Sequence, residues 1–278
     1  MTIEINSAGL QPFAKQIEDA RARATRARLY GRLVQLGTVI GLLVLWELAV
    51  VLLHTSPIIL PRVSVIASAL WTMTIDGTIP WHSLVTLKRV VLGFAAASIL
   101  GIAIGLAMNR FETVRNIADP LIAGLYPLPK VALVPLLLIW FGSGETYKFV
   151  IVLATAFFPI VISTYQGLRQ VDGGLISAAS DLGANDWQVQ LEVMLPAATP
   201  AILAGMRLGM GVAVILTIAA EMIASQNGLG YLLVAVGAIL ETEKVFAVLF
   251  TVAILGVAIT KIHDWLDIKF AGWAFDSR

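Results

Sequence analysis

Four ionisable side chains fall inside long apolar runs: Glu47, Lys130, Arg207 and Glu221. A charge held at the depth of a bilayer is costly, so such a residue pairs, lines a path for a polar solute or ties helices together. Lys130 is the sharpest case. It follows Pro127 and Pro129 and precedes Pro135. Proline donates no backbone hydrogen bond, so carbonyls near it are left open. A cation there suits an anion pathway; the plain alternative is that it pairs with a carboxylate or reaches to the surface. Arg207 and Glu221 are the other candidates for lining a path. They lie 14 residues apart, roughly 21 Å on one straight helix, so they do not pair with each other within one chain. Arg207 also fits a role in tying spans together.

Reaction chemistry finds no foothold. The histidines are His54, His82 and His263, and none stands in an H-E-x-x-H pattern. There is no G-x-S-x-G elbow. There is no cysteine, hence no disulfide or thiol chemistry. A phosphate-cradling loop needs G-x-x-x-x-G-K-[ST], and "GSGETYK" lacks its closing Gly-Lys-Ser/Thr. The expectation is a chain that is not an enzyme, binds no cofactor of its own and draws its energy from another subunit.

The elements that carry these charges are membrane helices. The 278 residues are 58% hydrophobic and 13% charged, with a mean hydropathy of +0.87. Soluble domains carry about twice that charge. Apolar runs long enough to cross a hydrocarbon core of about 30 Å predict six spans, near 36–53, 88–108, 118–141, 147–167, 198–223 and 244–263. They form a membrane domain over 36–268, behind an N-terminal arm at 1–35 and ahead of a tail at 269–278. Leu229 to Leu240 is too short to span and reads as re-entrant or interfacial. Residues 1–30 lack the apolar core of a signal peptide. Basic residues favour the cytoplasm. Lys15, Arg21, Arg23, Arg26, Arg28 and Arg32 in the arm, and Lys261, Lys269 and Arg278 at the other end, put both termini there. Segments 55–82 and 224–242 then face outward. Lys88 and Arg89 oppose this trend, because they fall at the outer end of the second span. The arm arginines also suit anionic lipid. No internal repeat is visible, which disfavours an ion-gradient-driven secondary transporter, the alternative function.

One polar stretch interrupts the second half: "LISAASDLGANDWQVQLEVMLPAA", residues 175–198. Leu175, Ala178, Ala179 and Leu182 share one helix face by their spacing. Gly183 stands where a left-handed residue would close that helix. Asn185 can cap the next helix, with Gln188 three residues on in capping-box position. Trp187, Leu191 and Met194 make a second stripe, and Pro196 is expected to end it. Two short capped helices with a sharp turn suit a docking surface for a soluble partner better than a free loop.

These residues resemble the EAA loop of the permeases of binding-protein-dependent ABC importers. Ala178 and Ala179 match the two alanines, Gly183 the glycine and Leu195-Pro196 the closing pair, while Ser177 stands at the glutamate position. "LPRVSVIASAL", "TLKRVVLGFAAASILGIAIGLAMNR", "YPLPKVALVPLLLIWFGSGETYK" and "AAEMIASQNGLGYLL" are similar to the nitrate/sulfonate/taurine/bicarbonate branch of that family. The resemblance implies an all-α integral membrane protein of six transmembrane helices, with the type I ABC importer permease fold and a cytoplasmic coupling helix in the loop at 172–197. It implies that Ala178, Ala179, Asp181, Leu182, Gly183, Ala184, Asn185 and Trp187 contact the ATP-binding subunit. ATP and Mg would be held by that partner. The implied assembly has two ATP-binding subunits, a periplasmic or lipid-anchored solute-binding protein and a second permease copy, in a homodimer. It sits in the bacterial inner membrane, surrounded by lipid and without nucleic acid. The implied cargo is a small anion.

Overall fold

The computed structural model describes the backbone of residues 11–275 and nearly all side chains between 26 and 271. Residues 1–10 of the arm and 276–278 of the tail lie outside the described residues. Regular structure among the described residues is helical. Hydrocarbon offers backbone groups no partners, and a helix bonds its own.

The elements are α1 (Gln11–Leu52), α2 (Val63–Ile75), α3 (Thr78–Arg110), α4 (Glu112–Leu125), a 3₁₀ turn (Lys130–Leu133), α5 (Val134–Phe141), α6 (Glu145–Arg169), α7 (Gly173–Asp181), α8 (Asp186–Gln188), a π-helical turn (Val189–Met194), α9 (Leu195–Ala224), α10 (Leu229–Ala238) and α11 (Thr242–Phe275). Among the described residues, five helical segments are long and apolar enough to cross a membrane: Leu29–Leu52, Thr78–Arg110, Glu145–Arg169, Asp186–Ala224 and Thr242–Ala271. A sixth crossing results if α4 and the Lys130–Phe141 segment, bent by 91° against each other, count as one. Pro127 and Pro129 explain the bend. Each removes a donor, and by Pro129 the backbone is extended, with φ −69° and ψ 99°.

The chain divides into two compact units at residue 65. In the first, the expected arm from residue 11 onward and the first span form one helix, α1. The Glu47 carboxylate accepts hydrogen bonds from the Ser64 hydroxyl at 2.8 Å and the Ser64 backbone N–H at 3.2 Å. Its charge thereby caps the first turn of α2, where helix N–H groups have no partner of their own.

In the second unit, α6 is packed against α3 on one side and α9 on the other. Small residues set these contacts. A Cβ on Gly93, Gly101 or Gly105 of α3 would lie 2.6 Å from Val152, 2.9 Å from Ile160 and 2.7 Å from Thr164 of α6. A Cβ on Gly209 of α9 would sit 3.0 Å from the Ala156 carbonyl oxygen. The "GIAIG" and "GMRLG" spacings are therefore close-approach ridges, which substitute backbone contact for a hydrophobic drive that lipid does not supply. Phe94, Ala97, Ile151, Val152, Ala156, Ile160 and Ala213 fill the core between them.

Two expectations about the helices are corrected. The second long helix starts at Thr78 rather than near 88. The Asp76 carboxylate accepts from the Thr78 N–H at 2.9 Å, and that bond holds its carboxyl below the usual range. Lys88 and Arg89 thus lie inside a helix, not at its outer end. Pro196 does not end the second stripe, because helix runs without a break from Asp186 to Ala224. The π-turn at Val189–Met194 explains this. Its wider ring leads into α9 with Pro196 in the first turn, where the missing N–H is tolerated.

Candidate functional site

The loop at 172–197 has the geometry its residue types predict. The Asp172 side chain caps α7 by accepting from the Gly174 N–H at 2.9 Å. Gly183 has φ +89°. The Gly183 N–H donates to the Ser180 carbonyl at 2.9 Å and the Ala184 N–H to the Ala179 carbonyl at 3.0 Å. These are the two bonds of a Schellman turn, which satisfies the last carbonyls of a helix. The capping box at Asn185 is complete: its side chain accepts from the Trp187 and Gln188 N–H groups, each at 3.0 Å, and the Asn185 N–H donates to the Gln188 side chain at 2.9 Å.

This loop is fixed to the end of α3. Arg110 pairs with Asp186 at 2.7 Å, and the Phe111 and Trp187 rings meet edge to face at 6.2 Å. Gln190 donates to the Leu106 carbonyl at 2.9 Å. What the loop does not bury is as informative. Leu182 is 90% exposed, Trp187 52% and Leu175 52%. Asp181 and Gly183 are exposed beside them, as is Ala178, and Ala184 is half-buried. The structure therefore brings the eight loop candidates together on a rigid, partly apolar knuckle.

The intramembrane candidates are scattered. Lys130 stands in the bend between α4 and α5. Its ammonium donates to the open carbonyls of Leu125, at 3.3 Å, and Tyr126. It also lies over the Tyr126 and Phe158 rings, at 5.1 and 4.8 Å. Arg207 bridges α9 to α11, pairing with Asp264 at 2.8 Å and with Asp267. That is a tie between helices. Glu221 is sealed in the protein, 1% exposed, which removes it from the surface of any path in this conformation.

Glu221 belongs to a network that sequence reasoning missed. Arg89 is its hub. The guanidinium donates to Glu221 at 2.6 Å, to both carboxylate oxygens of Glu145 at 2.7 Å, to the Asn227 carbonyl at 2.9 Å and to the Asn227 side chain. Glu221 accepts further bonds from the Thr86 hydroxyl, at 3.0 and 2.9 Å, and the Gly230 N–H at 2.9 Å. Thr86 in turn accepts from the Leu229 N–H at 2.8 Å, and His82 accepts from the Gly228 N–H at 2.9 Å. The network pins the start of α10 to α3, α6 and α9 at the end of the bundle opposite the loop. Two buried charges repay their desolvation only when every remaining donor and acceptor is matched, and here they are. The local sign of it is the "TLKR" polar run just ahead of the apolar stretch from Val90, which marks a polar spot but names no partner.

A bundle of apolar helices, glycine ridges, a capped knuckle at one end and an ion-pair clasp at the other make up a membrane transport component. The comparisons agree. Residues 97–271 match the family described as binding-protein-dependent transport system inner membrane component, which is more than half of the chain. The taurine transport system permease protein of Escherichia coli is 37% identical over 80% of this chain and 82% of its own. A permease protein of Bacillus subtilis, named for aliphatic sulfonates transport, is 31% identical over 92% of each chain. Among solved structures, the inward-facing MetNI methionine ABC transporter superposes with a TM-score of 0.58 at 17% identity, covering 65% of this chain and 90% of that one.

The chain belongs to this family of ABC importer permeases, in the taurine/sulfonate branch. It is a transport subunit integral to the membrane, not an enzyme.

Proposed function

We propose that this permease carries a small sulfonate-class anion inward and is driven by a separate ATP-binding subunit docked on the loop at 172–197. The observation that carries the reading is the knuckle itself. A Schellman turn and a full capping box hold Leu182 and Trp187 outward, and a loop that merely joined two spans would have no use for that rigidity. The names of two relatives, one for taurine and one for aliphatic sulfonates, support the sulfonate class. The assembly is two copies of this chain, two ATP-binding subunits holding ATP and Mg, and a periplasmic or lipid-anchored solute-binding protein. It sits in the inner membrane with both termini cytoplasmic and the clasp around Arg89 facing outward. On this reading Ala178, Ala179, Asp181, Leu182, Gly183, Ala184, Asn185 and Trp187 meet the ATP-binding subunit. Lys130 lies on the path, while Arg207 and Glu221 hold helices together.

The test is uptake of ethanesulfonate and 2-aminoethanesulfonate into proteoliposomes holding the assembled importer and its solute-binding protein. Uptake is expected to need the ATP-binding subunit and to survive collapse of the proton gradient. The opposite pattern would establish an ion-gradient-driven carrier.

A further inference from the structure

A polar cleft of about 510 Å³ opens beside the clasp, between the turn before α6 and the turn after α9. Ser143, Glu145, Lys148, Ser225, Gln226 and Asn227 line it. Its two charged groups differ in kind. The Lys148 side chain is 4% exposed and the Glu145 side chain 66%. They touch at 3.1 Å. Among the described residues Glu145 is the sole hydrogen-bond acceptor of Lys148, and an ammonium has three protons to give. The Tyr147 ring, 5.2 Å from Nζ, supports the cation without taking a hydrogen bond. The cleft thus holds a nearly buried cation with spare donors, and an exposed carboxylate beside it.

Charge balance narrows what fits. Arg89 and Lys148 against Glu145 and Glu221 leave this region neutral. A plain anion reaching Lys148 would meet the Glu145 carboxylate at close range, and like charges there repel. A small zwitterion would not. Its sulfonate can take the free Lys148 protons and the Ser143 and Gln226 donors of the cleft, while its ammonium takes Glu145 in place of Lys148. We propose that this cleft receives the solute as it leaves the solute-binding protein, and that the Glu145–Lys148 pair selects a small zwitterionic sulfonate over a plain one. The selection rests on the sulfonate reading above. It does not restate that reading, since both kinds of sulfonate belong to that class.

The experiment is paired uptake of 2-aminoethanesulfonate and ethanesulfonate by the complete importer, in wild type and in Glu145→Gln, Lys148→Gln and Lys148→Arg. The same solute-binding protein is used throughout, so its own preference cancels when the ratio of the two rates in a variant is compared with that in wild type. Glu145→Gln also frees one side of Arg89, but that loss falls on both solutes and cancels as well. Wild type is expected to favour the zwitterion, and Glu145→Gln to lower that preference about tenfold, the worth of one charge-assisted hydrogen bond. Lys148→Gln is expected to slow both solutes and Lys148→Arg to restore them. A ratio unchanged in Glu145→Gln, with both solutes still transported, overturns the site and leaves the sulfonate reading standing. A wild-type importer that moves neither compound overturns that reading and the site with it.

Discussion

Replacing Gly183 isolates what the turn of the loop contributes. The residue sits at φ +89°, and a Cβ added there would meet nothing within 4 Å. A substitution therefore acts through the backbone alone, with no clash to confuse it. An L-residue held in the left-handed region costs about 1–2 kcal/mol, least for Asn and most for a β-branched side chain. Such a cost lowers the population of the native turn by about 5–30-fold. It is far too small to undo helices packed in a bilayer, so Gly183→Val is expected to insert normally. It misdirects Leu182 and Trp187, and association with the ATP-binding subunit weakens by the same factor. The assay is co-purification of that subunit, together with solute-stimulated ATP hydrolysis, at matched membrane levels of Gly183→Asn, Gly183→Ala and Gly183→Val. The expected order of retained coupling is Gly, Asn, Ala, Val. Full coupling in Gly183→Val refutes the role of the turn. Equal damage from Asn and Val refutes the backbone argument, since it would place the effect in side-chain bulk at the docking face.

Four further outcomes follow from the packing. Arg89→Gln strands the Glu221 carboxylate in the interior, and breaking such a pair costs about 3–5 kcal/mol; thermal melting in detergent should drop, and Arg89→Gln with Glu221→Gln should recover part of the loss. Gly101→Val drives a Cβ to within 2.9 Å of Ile160 and should lower stability by about 1–3 kcal/mol, whereas Gly124→Val, with nothing within 4 Å, should be silent in the same melting assay. Lys130→Ala releases the Leu125 and Tyr126 carbonyls and should cut uptake while the ATP-binding subunit still co-purifies; normal uptake at wild-type protein levels would assign Lys130 to the bend alone. Asp186→Cys, on a chain with no other cysteine, should resist an impermeant thiol reagent applied to intact cells; labelling from outside would invert the topology.

What the sequence disclosed divides by range. Gly183, Asn185 and Gln188 act on partners within five residues, and a cap or a Schellman turn is written in that window, so their geometry was legible in advance. The clasp was not. Arg89 meets Glu145, Glu221 and Asn227 across 56, 132 and 138 residues, and no local pattern announces a pairing of that span. Judged by its neighbours, Arg89 looked like a flank of an apolar run, because the helix before it, from Thr78 onward, is too mixed to read as a span. Pro196 misled for a related reason. A proline stops an α-helix that keeps strict i to i−4 bonding, and the π-turn ahead of it lifts that condition. Pro127 and Pro129 were correctly read as disruption, but the size of the bend depends on how α5 packs on α6.

The helical run from Asp186 to Ala224 has a mechanical consequence. One of its ends is the exposed knuckle, and near the other is the carboxylate gripped by Arg89. Between them, Gly209 rests against the Ala156 backbone of α6, and Gly205 against the Ser163 side chain and the Pro159 carbonyl. Both of its ends are also fastened to α3, through Arg110–Asp186 at the knuckle and Arg89–Glu221 at the clasp. A push received at Trp187 therefore has α9 and α3 to move as one lever, not a lone helix.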